Sequence, residues 1–169
     1  MSKAFTKESD EGPGNEVPLE PKDPLPAGVK NYVTPEGAAA LREELSRLER
    51  EPRPKAPRDA DKAARKRLEA LERRVQFLRD RVANMTVVDI GSQDKDSVHF
   101  GANVIVADEE GNEKSYRIVG VDESDPAKGK ISWISPIAKA LISARVGDVV
   151  TLELPDGNAE LEILQIDYR

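Results

Sequence analysis

The sequence contains no cysteine, which excludes a disulfide framework and any thiolate for zinc binding or nucleophilic attack, and fits a reducing compartment. It has little aromatic content, 4% of 169 residues, and a single histidine. That residue, His99, stands beside Phe100 at the start of an expected strand with no ligand-spaced partners, so it reads as structural rather than metal-binding. Basic excess is also missing: 26 Lys and Arg face 32 Asp and Glu, a net charge of −6, which argues against a general nucleic-acid coat built on phosphate neutralisation. No apolar run approaches the ~20 residues of a membrane-spanning helix, and MSKAFTKESDEG lacks the apolar stretch of a signal peptide. A cytoplasmic protein without membrane association is the expectation. No Gly-rich phosphate cradle is found, since GDVV and PDG sit where strands turn, and no nucleophilic triad can be assembled.

What is present divides the chain in three. Residues 1–30 hold five prolines, three glycines and few large apolar side chains, too little to offset the entropy of ordering, so they read as a disordered tail. Residues 31–86 read as two helices. Thr34 is an N-cap with Pro35 at the first helical position and Glu36 at the positive helix end. Ala38, Leu41, Leu45 and Leu48 then form one stripe, and Pro52, Pro54 and Pro57 end the helix near Glu51. A second helix, capped by Asp59 or Asp61, carries Leu68, Val75 and Val82 seven residues apart, interleaved with Leu71, Leu78 and Met85. The two stripes predict an antiparallel helical hairpin, a short coiled coil, tipped by a proline-rich basic turn.

From residue 87 to 169 the period changes to two. Strands are expected on either side of Glu110-Gly111-Asn112, with Val104, Val106, Tyr116 and Ile118 inward. KISWIS reads as a further strand and SPIAKAL as a short helix started by Ser135-Pro136. The last segment reads as a closing hairpin around Pro155-Asp156-Gly157. The fold class is therefore α+β, a helical hairpin followed by an antiparallel sheet with one helix on a face.

SYRIVGVDESD, ISWISPIAKALISARVGDVV and LPDGNAELEILQIDY resemble the C-terminal domain of the bacterial Gre transcript-cleavage factors, closer to the B type than the A type. YVTPEGAAALREELSRLEREPRP and RKRLEALERRVQFLRDRVANMTVVD are similar to that family's N-terminal coiled coil, so the resemblance spans residues 31–169. It implies an FKBP-like C-terminal domain gripping the rim of the RNA polymerase secondary channel. The coiled coil would then enter the channel, where tip carboxylates help hold a second magnesium ion in the polymerase's active site; that ion activates water to cut backtracked RNA. The rim contacts implied by the resemblance are Asp122, Asp125, Ile134, Ser135, Pro136, Ile137 and Ala138. Trp133, beside them, reads as core rather than contact.

The sequence departs from the family at the tip. The Gly-Asp, two residues, Glu-Asn-Ala-Asp/Glu-Tyr pattern has no match between Arg50 and Arg67. Aligned arms leave the hairpin about 14 residues short, or roughly 10 Å in reach, and magnesium ligation needs a carboxylate oxygen near ~2 Å. Asp59 and Asp61 are the weak substitutes. Two apart on a helix, they point about 200° away from each other, so helix capping is the simpler role and no catalytic or metal-binding residue is assigned. Arg53, Lys55, Arg58, Lys62, Arg65, Lys66 and Arg67, with Arg50, form a basic cluster facing RNA or the channel, or else a solvated charged face.

The expected function is that of an accessory factor, not an enzyme. It would act as a monomer with no cofactor of its own, bind bacterial RNA polymerase at the secondary channel, contact nascent RNA or template, and modulate elongation without strong cleavage stimulation. The alternatives are a genuine cleavage factor, a scaffold for a non-polymerase protein, and a prolyl isomerase. The last requires an aromatic-lined pocket, for which Phe100, Tyr116, Trp133 and Tyr168 are the aromatic residues available after residue 86.

Overall fold

The computed structural model describes residues 25–53 and 62–168. Strand β1 (Asn31–Val33) leads into helix α1 (Pro35–Arg50), and helix α2 (Lys62–Asn84) runs directly into strand β2 (Met85–Val87). The Thr34 hydroxyl accepts the Gly37 N–H at 3.0 Å, the cap that Thr34-Pro35 predicts. Helix α1 stops where Glu51, next to Pro52, is extended at φ −62 and ψ 127, the conformation that a following proline favours.

The two helices lie antiparallel. At one end the Asn31 side-chain amide donates to the Arg81 carbonyl, and at the other Glu51 and Pro52 sit beside Ala64, Leu68 and Leu71. Val33, Ala38, Leu41 and Leu48 pack with Leu71, Val75 and Leu78 into one core, each fully buried aliphatic side chain contributing about 1.5–3 kcal/mol. Leu68, Val82 and Met85, expected in the same seam, are half-buried, Val82 and Met85 packing against the edge of this core. Of the tail expected over residues 1–30, residues 1–24 lie outside the described residues. The last part of it is folded: Val29 N–H donates to the Pro26 carbonyl across a turn.

The second part is a five-stranded sheet in the order β5-β4-β3-β7-β6. Its strands are β3 (Asn103–Asp108), β4 (Glu113–Val119), β5 (Lys130–Ser132), β6 (Val149–Leu154) and β7 (Gly157–Asp167). Helix α3 (Pro136–Leu141) lies against β5 and β6. Val98, Ala102, Val104, Val106, Ile118, Ile131, Ala138, Leu141, Leu161 and Ile163 form its core, in keeping with the alternation. The antiparallel expectation needs correction, because β5 pairs with β4 in parallel. After β4 the chain makes two 3-10 turns, Val121–Glu123 and Pro126–Lys128. Left-handed Gly129 (φ 71) then turns it back alongside β4. The strands β1 and β2 also pair in parallel, a contact between residues 54 apart that local periodicity does not encode.

Tyr168 ties the C-terminal end of this sheet to the segment before β3. Its hydroxyl accepts the His99 N–H at 2.9 Å and donates to the Ser97 carbonyl at 2.6 Å, and burial pushes the phenol above its ordinary value. Tyr168→Phe should cost about 1–2 kcal/mol in urea unfolding. Because the folded phenol titrates above the unfolded one, the Tyr168 contribution is complete below pH ~10 and is lost as pH rises through the folded value. The gap between wild type and variant should therefore narrow in strong alkali.

Candidate functional site: the hairpin and its junction with the sheet

The hairpin is joined to the sheet through Gly120–Glu123. The Glu123 carboxylate accepts the Thr34 N–H at 3.0 Å, the Gly120 N–H at 3.0 Å and the Thr34 hydroxyl, so one side chain ties the first turn of α1 to the turn after β4. Two glycines make the approach possible. A Cβ on Gly37 would lie 2.1 Å from the Glu123 Cδ, and one on Gly120 would lie 2.3 Å from the Tyr32 carbonyl oxygen. Beside this latch Arg81 of α2 pairs with Asp122 at 3.3 Å, their side chains 8% and 3% exposed. At the rim Arg117 reaches Glu36 at 3.4 Å.

An aromatic contact completes the junction. The Tyr32 ring meets Trp133 edge-on at 5.2 Å and lies 6.2 Å from Phe100. Trp133 thus packs against the sheet core and the hairpin together. Of the four aromatics available to a prolyl isomerase pocket, Phe100 and Trp133 meet Tyr32, Tyr168 is tied to Ser97 and His99, and Tyr116 packs on the sheet core.

On the hairpin, Arg74 is held by Glu44 through Nε at 3.0 Å and Nη2 at 2.8 Å, and Phe77 has Arg74 at 5.3 Å and Arg81 at 4.8 Å from its ring centroid. Both arginines are buried, Arg74 at 8% and Arg81 at 7% exposure. The sequence gives no sign of either, since a charged residue next to a heptad seam reads as solvated. The Glu123 latch has half a signal in the sequence: Thr34 announces a cap, but the acceptor 89 residues away is brought there by the fold.

Of the basic cluster, Arg53, Lys62, Arg65, Lys66 and Arg67 are exposed, while Lys55 and Arg58 lie outside the described residues, as do Asp59 and Asp61. The first turn of α2 contains no acid. Among the described residues no cluster of His, Cys, Asp and Glu could hold a metal ion.

The rim set divides. Asp122, read as a surface contact, is instead 3% exposed and committed to Arg81. Ala138 is 0% exposed in the sheet core, so the helix turns this residue inward, while its neighbour Ile137 keeps part of its surface outward. Pro136 is exposed, and Ile134, Ser135 and Ile137 are half-buried. The Ser135 hydroxyl accepts the Ala138 N–H at 3.2 Å. Asp125 is 36% exposed and 3.0 Å from Lys128, whose hydrogen bond holds its carboxyl below the usual range. The outward surface here is Asp125, Ile134, Pro136 and Ile137.

Residues 93–168 match the family model described as transcription elongation factor, GreA/GreB, C-term. The chain is 40% identical over 155 residues to a transcription elongation factor GreB of Neisseria meningitidis serogroup B, covering 83% of this chain and 95% of that protein. It is 41% identical over 153 residues to GreB of Yersinia pestis, covering 82% and 90%. A crystal structure of GreA factor homolog 1 (Gfh1) of Thermus thermophilus aligns at 25% identity over 82% of this chain and 99% of that one, with a TM-score of 0.37. The Neisseria alignment of 155 positions takes up 83% of 169 residues here, or about 140, so about 15 of its positions have no residue in this chain.

Proposed function

Because the chain belongs to the GreA/GreB family of transcription elongation factors, we propose that it binds bacterial RNA polymerase at the secondary channel and modulates elongation chiefly by occupying that channel, with little stimulation of transcript cleavage. The observation that carries this reading is the short hairpin. An α1 of 16 residues extends about 24 Å at 1.5 Å per residue. No family tip motif stands between Arg50 and Arg67.

In this reading the sheet part, with the FKBP-like topology implied by the family resemblance, holds the channel rim through Asp125, Ile134, Pro136 and Ile137. The exposed Arg53, Lys62, Arg65, Lys66 and Arg67 steer the hairpin toward phosphates of nascent RNA or the acidic channel, an attraction that weakens with salt. The protein acts as a monomeric accessory factor in the cytoplasm. It brings no cofactor; any chemistry on RNA belongs to the polymerase's own metal site.

The experiment adds purified protein to backtracked elongation complexes alongside a cleavage-competent relative. The expected result is polymerase binding, competition with that relative, and no RNA shortening above polymerase alone. Prompt shortening that disappears in Asp59→Asn, Asp61→Asn would establish the cleavage-factor alternative instead, and failure to bind polymerase would overturn both.

A further inference from the structure

The chain enters the described region at Leu25, which lines a depression on α2 together with Asn31, Phe77, Asp80, Arg81 and Asn84. The 24 residues before it therefore start beside the base of the hairpin. They carry six carboxylates, Glu8, Asp10, Glu11, Glu16, Glu20 and Asp23, against three lysines. The distal half of the hairpin has the opposite character, with Arg50, Arg53, Lys62, Arg65, Lys66 and Arg67 exposed.

Between the arms at that end lies a depression of about 340 Å³ lined by Glu51, Pro52, Ala64, Arg67, Leu68 and Leu71. Leu68 is a seam residue left half-buried beyond the last turn of α1. An occupant with two apolar side chains between acids would complement both its floor and its rim. The leader contains one such segment, Glu16-Val17-Pro18-Leu19-Glu20.

The distances agree. From Phe77, beside Leu25, to Leu68 is nine residues of helix, or about 14 Å. From Leu25 back to Leu19 is six residues, whose covalent reach is up to about 20 Å. We propose that residues 16–20 dock on their own hairpin, Val17 and Leu19 against Leu68 and Leu71, Glu16 and Glu20 toward Arg65 and Arg67. The leader then shields the basic end of the hairpin, and an anionic partner must displace it. This docking does not depend on which partner the hairpin serves.

The absence of native cysteine allows a direct test in the full chain. Pro18→Cys with Ala64→Cys should form an intramolecular disulfide under mild oxidation about tenfold faster than Pro18→Cys with Glu160→Cys, whose second site is on the exposed face of β7, because docking raises the local effective concentration. Salt at about 0.5 M, or Glu16→Gln with Glu20→Gln, should remove most of that advantage. Equal rates for the two pairs, or crosslinks that join separate chains only, would overturn the proposal. A spin label on the thiol of the single variant Pro18→Cys gives a second readout: broadening confined to amides of residue 51 and residues 62–71 supports docking, and uniform or absent broadening overturns it.

Discussion

Asp122→Ala should lower stability by about 3–5 kcal/mol, the loss expected when one member of a buried ion pair is deleted and its partner stays charged in the interior. Arg81 cannot escape easily. Its backbone carbonyl accepts the Asn31 amide, its guanidinium lies 4.8 Å from the Phe77 ring centroid, and its side chain is 8% exposed. For a chain of this length the melting temperature should fall by about 10 °C. The double replacement Arg81→Met, Asp122→Leu should recover most of the loss, because well-packed apolar substitutes for a buried pair are often neutral or stabilising. Thermal unfolding of the three variants decides the point; a single-variant loss below about 1 kcal/mol would show that Asp122 is wet and available to a partner after all.

The second large effect concerns Glu123 and Gly37. Glu123→Ala strands three donors, two on Thr34 and one on Gly120, at an expected total of about 2–4 kcal/mol. Gly37→Ala should do similar damage by a different route, since its Cβ would occupy the space of the Glu123 Cδ at 2.1 Å and drive the carboxylate out. Combining the two should then reverse the sign of Gly37→Ala. With the carboxylate gone the extra methyl meets no obstacle, and alanine exceeds glycine in helix propensity by up to about 1 kcal/mol. Trp133 is the sole tryptophan and touches Tyr32 of the hairpin, so its emission reports whether the junction loosens before the sheet unfolds. A neutral Gly37→Ala in the wild-type background would refute the latch.

These two clusters set the direction in which the hairpin leaves the sheet. A helix of about 24 Å amplifies small rotations at its base, so the position of its far end depends on a base that does not tilt. The latch supplies that base with backbone donors and a buried pair, rather than with a large apolar interface.

Much of the local structure could be read from residues alone. Thr34-Pro35 and Ser135-Pro136 announced two helix starts, the leucine spacing announced the hairpin, and Val104, Val106 and Ile118 announced the sheet core. These signals are legible because capping and periodicity act over a few residues. The basic end of the hairpin was legible as composition. Asp122 and Ala138 were misplaced outward for the same reason that Arg74 and Arg81 went unnoticed: residue type predicts exposure on average, and ion pairing or helix rotation overrides it at particular positions.

The amino-acid pattern by itself thus determined the order of elements and the antiparallel arms, which follow from spacing along the chain. Only the tertiary structure decided that β5 returns parallel to β4, that Glu123 caps a helix 89 residues away, and that Asp122 faces Arg81 rather than solvent. Those outcomes are set by which surfaces bury one another. Charges and hydrogen-bond donors taken out of water must find partners wherever the packed chain brings them, and no local period records where that is.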